Sequence, residues 1–314
     1  MDYLIEENNT AVHYFVRTGE GLVRQCARGG SWQPRECILR GAHDGFGLYT
    51  DGKTVHIVAA TDEGELLYVT GSDKAWRRFI LKKIGQDLRI LTIKLYPVRG
   101  RLNMLYTVAV NDDILLMHCI LGNNAKPNTV SKLLTDSFFI SNLRVYYAIP
   151  DGRAGFCELA DEKPELFIRI ADNCGVPYIF NRHMAYISNG KIYFDSRELC
   201  CDEEAEQIII TESDARLFVA WKSRDFVRYI PADAKEAQPH CIINPAREAR
   251  LYAVWRDDNL EYFYGSNSDA ELVTYINPSP FGPRTSSASD SLRRRLEDMK
   301  NEINELRRRL AESS

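Results

Sequence analysis

The chain has 314 residues, 45% of them apolar, enough for one large core and a small appendage. A formal net charge of −4 excludes the dense cationic footprint that nucleic-acid binding needs. No run approaches the ~20 apolar residues that span a bilayer, and Met1–Glu7 lacks a basic start followed by an apolar run, so neither membrane span nor secretory signal is expected, and the expected location is the cytoplasm.

The first elements set the pattern. Val12-His13-Tyr14-Phe15-Val16 and Val55-His56-Ile57-Val58-Ala59 are each followed by a Gly-containing turn, a second apolar strand, a Trp (Trp32, Trp76) and a run closing on Leu (Leu39, Leu81). Leu105–Val110 leads through Asn111-Asp112-Asp113 into Ile114–Met117. Val145–Ile149 runs into Pro150-Asp151-Gly152, and Met184–Ile187 into Ser188-Asn189-Gly190, both with hairpin turn chemistry. Leu217-Phe218-Val219-Ala220-Trp221 and Leu251-Tyr252-Ala253-Val254-Trp255 are the closest internal match, each preceded by Ala-Arg. These strands are apolar along their length instead of alternating, as strands covered on both faces must be.

An all-β repeat of this length implies a β-propeller, in which each sheet is sandwiched between two neighbours. The seven visible units predict seven blades over residues 1–277, although six or eight would leave much of the same pattern. The Asp and Asn residues between strands read as turn chemistry rather than a calcium set, because no loop supplies more than two carboxylates.

Pro278-Ser279-Pro280-Phe281-Gly282-Pro283 cannot continue a sheet, and residues 278–290 read as a Pro/Ser-rich linker. Residues 291–314 then predict a helix whose apolar positions Leu292, Leu296, Met299, Ile303, Leu306 and Leu310 form a heptad seam. In a parallel pair Glu302 meets Arg307, whereas an antiparallel pair would bring Arg293, Lys300 and Arg307 together. A parallel coiled coil of two to four chains is therefore expected, making the protein a homo-oligomer.

Site chemistry is sparse. His13 and His56 share one strand position and are expected to be packed or hydrogen-bonded there. Cys26, Cys37, Cys119, Cys157 and Cys241 lie in strand-like runs and read as small buried apolar residues, and the vicinal Cys200-Cys201 lacks metal spacing. No phosphate loop, nucleophile elbow or His-Glu-x-x-His pair occurs, so no cofactor, metal or catalytic residue is assigned. Trp221 and Trp255, ending apolar strands, are expected to fill space between blades. Trp32 and Trp76 lie among polar residues and are the ligand-side candidates, since a flat apolar face with a polar edge stacks on a sugar or anchors a protein contact.

The order of strand, Gly-containing turn, Leu66-Leu67-Tyr68, Ser72-Asp73, Trp76 and Leu81 resembles units of sialidase-like propellers and propeller lectins, with Ser72-Asp73-Lys74-Ala75-Trp76 keeping only part of an aspartate-box pattern. The expected function is that of a non-enzymatic recognition module binding a protein or glycan through propeller-face loops, made multivalent by the coiled coil. A propeller glycoside hydrolase or a structural assembly subunit are the alternatives.

Overall fold

A computed structural model describes residues 2–274 apart from the segments 8–10, 29–30, 73–74, 85–87, 123–125, 142, 160–166, 214–215, 225, 235–237, 243–249, 257–258 and 269–270. The linker and the proposed coiled-coil residues Leu292, Leu296, Met299, Ile303, Leu306 and Leu310 lie outside the described residues. Among the described residues the chain is entirely β-structure and turns, and no helix is long and apolar enough to cross a membrane.

Six sheets form the ring. The first contains β1 (Asp2–Glu7), β2 (Ala11–Thr18), β3 (Gly21–Arg28), β4 (Ser31–Trp32) and β5 (Glu36–Arg40). The second is β6 (Ala42–Thr50), β7 (Val55–Thr61), β8 (Glu65–Ser72) and β9 (Ala75–Lys83), and the third β10 (Arg89–Val98), β11 (Arg101–Val110), β12 (Asp113–Ile120) and β13 (Asn128–Leu133). The fourth is β14 (Phe139–Ser141), β15 (Arg144–Ala148), β16 (Arg153–Glu158) and β17 (Ile168–Asp172), and the fifth β18 (Tyr178–Phe180), β19 (His183–Ser188), β20 (Lys191–Phe194) and β21 (Arg197–Cys201). The sixth is β22 (Ala205–Ser213), β23 (Arg216–Ser223), β24 (Phe226–Pro231) and β25 (His240–Ile242).

Each of the second to sixth sheets is an antiparallel meander in chain order. First strands face the ring axis and approach one another closely. A Cβ on Gly47 of β6 would meet Ile93 Cγ2 of β10 at 2.8 Å and its carbonyl oxygen at 3.0 Å, so only glycine fits that crossing. A recurrent irregularity marks the pairing of third and outer strands, at Leu22/Val23, Leu66/Leu67, Leu116/Met117, Ala154/Gly155 and Ile192/Tyr193. Bulges of this kind add twist, which blades need as they fan outward.

The ring has six blades, which corrects the expected seven. All seven strand pairs read from the sequence exist, but the last is not a blade. It comprises β26 (Arg250–Arg256), β27 (Asn259–Ser268) and β28 (Glu271–Thr274), and β26 pairs in parallel with β1, from Asp2↔Tyr252 to Ile5↔Trp255. The first sheet thereby grows to eight strands. The physical reason is the inner edge of β1, which would otherwise present unpaired backbone groups and which β26 takes in parallel instead of heading a blade.

That pairing brings the hairpin onto the ring axis, where it touches the first strand of every other sheet. Trp255 Nε1 donates to the Leu48 carbonyl on β6 at 2.9 Å, and Lys94 Nζ on β10 donates to the Tyr262 hydroxyl at 3.2 Å. The Tyr262 ring lies 5.3 Å from Phe139 on β14 and 5.8 Å from Tyr178 on β18. The Tyr264 hydroxyl donates to the Gln207 carbonyl on β22 at 3.1 Å. Tyr252, Trp255, Tyr262 and Tyr264 are all buried. The protein thus fills its own channel.

Trp221 fills space between blades as the sequence implied and is completely buried, whereas Trp255, expected there too, is buried on the ring axis instead because its hairpin is not a blade. Trp221 Nε1 donates at 2.6 Å to Asp202, a buried carboxylate that also accepts from Ser223 Oγ at 3.2 Å and pairs with Arg228 at 3.1 Å. Removing that acceptor would leave three donors to find other partners. Asp202→Ala is expected to cost about 3 kcal/mol in urea unfolding, whereas the exposed Asp233→Ala should leave the midpoint nearly in place. His13 and His56 are packed and bonded, to Arg24 at 2.9 Å and to the Tyr68 hydroxyl at 2.6 Å. The cysteine expectation needs correction at two positions. Cys119 and Cys157 are buried and Cys26 half-buried, but Cys37 and Cys241 are exposed, because both lie on outermost strands with one uncovered face.

Candidate functional site

The hairpin divides the axis into two separate mouths. One lies where the first strands begin, lined by Asp2 of β1, Thr92 and Lys94 of β10, Phe138 just before β14, and Gln207 of β22, with Arg250 and Tyr264 from the hairpin. The other lies where they end, around Pro97, Ser141, Phe180 and Glu212, with Trp255 and Leu260 from the hairpin. Their volumes are about 580 and 500 Å³, within the range of small-ligand sites.

The first mouth holds the most unusual side chain of the fold. Lys94 is 4% exposed, yet among the described residues no carboxylate lies within ion-pairing distance of it. Its Nζ donates to the Phe138 carbonyl and to the Tyr262 hydroxyl, and lies 4.9, 4.7 and 4.9 Å from the ring centres of Phe138, Phe139 and Tyr262. Three rings from β27 and the edge of β14 therefore take the place of a counter-ion. Burial opposes the charge and brings the amine down to about 7. The Tyr262 phenol is pushed well above its ordinary range, also by burial, and remains a neutral partner.

The same mouth is lined by Arg17, Lys222 and Arg250, against two carboxylates, Asp2 and Asp136. Asp2 is partly spent, accepting from the Tyr14 hydroxyl at 2.7 Å and lying 3.7 Å from Arg250. The described lining is thus cationic, on a protein whose net charge is negative. A small anion entering it meets guanidinium groups that can bind oxygen pairs bidentately.

The sequence-based ligand candidates lie elsewhere. Trp32, on the outer strand β4, is half-buried and sits edge-on to Tyr14 at 6.4 Å. Trp76, on β9, bridges the first two sheets, with Nε1 donating to Glu36 at 3.2 Å and its ring edge-on to Phe15 at 6.4 Å. Neither is among the residues of the two axial mouths. Sequence reasoning missed Lys94, although a signal was present. Leu91-Thr92-Ile93-Lys94-Leu95-Tyr96 puts one charge inside a run that is otherwise uncharged and buried or half-buried. Among the described residues no three His, Cys, Asp or Glu side chains gather in a metal-binding arrangement.

No family model matches this chain, and no curated protein matches it. Solved structures are similar in architecture. One is a fungal lectin from Aleuria aurantia, described as a six-bladed β-propeller with a fucose recognition mode, 9% identical over 86% of this chain and 88% of that chain, with a TM-score of 0.46. These are propellers, as this chain is. The β-propeller domain of Cps50 (Swd1) from Myceliophteria thermophila is 8% identical over 84% and 91% of the two chains, with a TM-score of 0.49. A sialidase from Trypanosoma rangeli is 9% identical over 87% of this chain and 52% of its own, with a TM-score of 0.45. At such identities the likeness says nothing about what this chain binds.

Proposed function

We propose that this chain is a recognition propeller whose cationic mouth binds a carboxylate-bearing glycan or protein segment. The observation that carries the reading is that Arg17, Lys222 and Arg250 line the same face pocket of about 580 Å³ as the caged Lys94. Two features support binding rather than passage or processing of a long substrate. The channel behind the pocket is closed by Tyr262 and Tyr264, and one of the pocket's two acids, Asp2, is held by Tyr14 and Arg250. Affinity would come from charge-assisted hydrogen bonds within a partly desolvated pocket.

Multivalency belongs to the same proposal. A parallel coiled coil over residues 292–310 would gather two to four heads, and linked weak sites gain avidity of about a hundredfold or more without any new contact.

A glycan array containing sialylated and uronic-acid ends is the first test, with soluble ligand then titrated calorimetrically. Binding should weaken about tenfold or more in Lys222→Gln and Arg250→Gln and fall with added salt. Equal affinity in both variants would overturn the site. Light scattering of the whole chain beside a truncation ending at Asn277 tests assembly. An oligomer that becomes a monomer is expected, and two monomers would overturn the avidity argument.

A further inference from the structure

The outermost strand of the second sheet differs from its counterparts. β9 has nine residues, whereas β13, β17, β21 and β25, which close the third to sixth sheets, have three to six. Among the described residues β9 pairs with β8 alone, so its other edge presents a row of unpaired backbone donors and acceptors. The strand contains Arg77, Arg78, Lys82 and Lys83 and no acidic residue. Between these cations Phe79 and Ile80 are 50% and 58% exposed.

Basic groups on other outermost strands have partners. Lys132 pairs with Asp113, Arg169 with Asp172, and Arg197 donates to the carbonyls of Ala232 and Ala234. On β9 Arg78 donates to the Ile38 carbonyl of the first sheet. No described carboxylate comes within ion-pairing distance of Arg77, Lys82 or Lys83, and that includes Glu65, which stands opposite Lys83 in the ladder. The longest free edge is therefore also the one whose charge is left uncompensated.

We propose that the free edge of β9 docks an extended acidic segment of a partner protein, which adds to the second sheet as a fifth strand. Main-chain hydrogen bonds supply the affinity in such an addition, and alternate side chains supply the selectivity. Running antiparallel, the segment sets acidic residues against Lys82 and Lys83 at one end and Arg77 at the other, with apolar residues against Phe79 and Ile80 between them. A second copy of β9 is disfavoured, because antiparallel pairing would bring the cations of one strand against those of the other. An anionic bilayer would also meet the cations. Phe79 and Ile80 point to opposite faces of the sheet, however, so burying both in hydrocarbon would carry the unpaired backbone of the edge in with them.

The test is titration of the whole chain into a fluorescently labelled, end-capped peptide Glu-Glu-Ser-Val-Val-Ser-Glu, read by anisotropy. Binding should be saturable and should weaken about tenfold or more in Arg77→Gln/Lys82→Gln/Lys83→Gln and on adding salt. All three side chains are exposed, so the triple variant should keep the unfolding midpoint. Two further peptides, N-methylated on one or the other set of alternate amides, keep the charge and block one row of donors each. The set that faces β9 should lose about tenfold against the other set. Lys222→Gln, in the cationic mouth, should leave peptide affinity unchanged, which separates this inference from the carboxylate-binding proposal. Equal affinity for the two methylated peptides, or full affinity in the triple variant, would overturn it. So would capture of the chain by phosphatidylcholine–phosphatidylserine vesicles without peptide binding, or binding that appears only after truncation at Asn277, which would give the edge to the chain's own C-terminal segment.

Discussion

Tyr262→Ala should lower the free energy of unfolding by about 3–5 kcal/mol, the cost of deleting a large aromatic side chain from a packed interior that cannot collapse to fill the space. The residue is 2% exposed and its ring meets Phe139 and Tyr178 edge-on while its hydroxyl accepts from Lys94. The loss therefore combines buried area, two aromatic contacts and an acceptor for a buried amine. Tyr262→Phe retains the ring and isolates the last of these, at about 1 kcal/mol. Leu143→Ala, at a side chain that is 52% exposed, should change stability by less than about 1 kcal/mol. Urea unfolding of the three variants provides the comparison. A Tyr262→Ala protein as stable as the parent would mean that the hairpin does not close the ring.

The second large effect concerns pH. Burial lowers the Lys94 amine from 10.5 to about 7 in the folded protein, so between these values the unfolded chain binds the proton and the folded one does not. Stability must then rise with pH across that interval, by about 2 kcal/mol from pH 7 to 9. Below pH 7 both states are protonated, and the penalty for the buried charge is present in full. Other buried groups act in the opposite sense. The Cys157 and Cys174 thiols are pushed up to about 11 from 9.0, and the Tyr3, Tyr178 and Tyr264 phenols rise above 10, all by burial. Their stabilising contributions are present at lower pH and fade as pH climbs past their unfolded values. The informative quantity is therefore the difference between the parent and Lys94→Met, measured from pH 6 to 9. It should narrow or reverse as pH rises, and a constant difference would show that Lys94 keeps its proton throughout.

Much of the architecture was legible because hairpins are local. The seven strand pairs correspond to β2–β3, β7–β8, β11–β12, β15–β16, β19–β20, β23–β24 and β26–β27. Their turns rely on nearby residues such as Asn189-Gly190, both with positive φ. Trp221 and Trp255 were readable as packing residues because each ends a strand without polar alternation. The site was less legible. Trp32 and Trp76 occupy matching places in their units, yet one stays within its own sheet against Tyr14 and the other crosses to Glu36 of the neighbouring sheet.

Side-chain pattern and turn chemistry within some twenty residues were enough to dictate that the chain makes β-hairpins, where they turn, and which strands are covered on both faces. Long-range packing settled the rest, sending the seventh hairpin into the channel instead of leaving it as a blade and bringing a lone lysine to its aromatic cage. Lys94 meets partners 44 and 168 positions away, and β26 meets β1 from the far end of the fold. Such encounters depend on which edge and which cavity remain open once the other sheets have packed, and a local pattern carries no record of that.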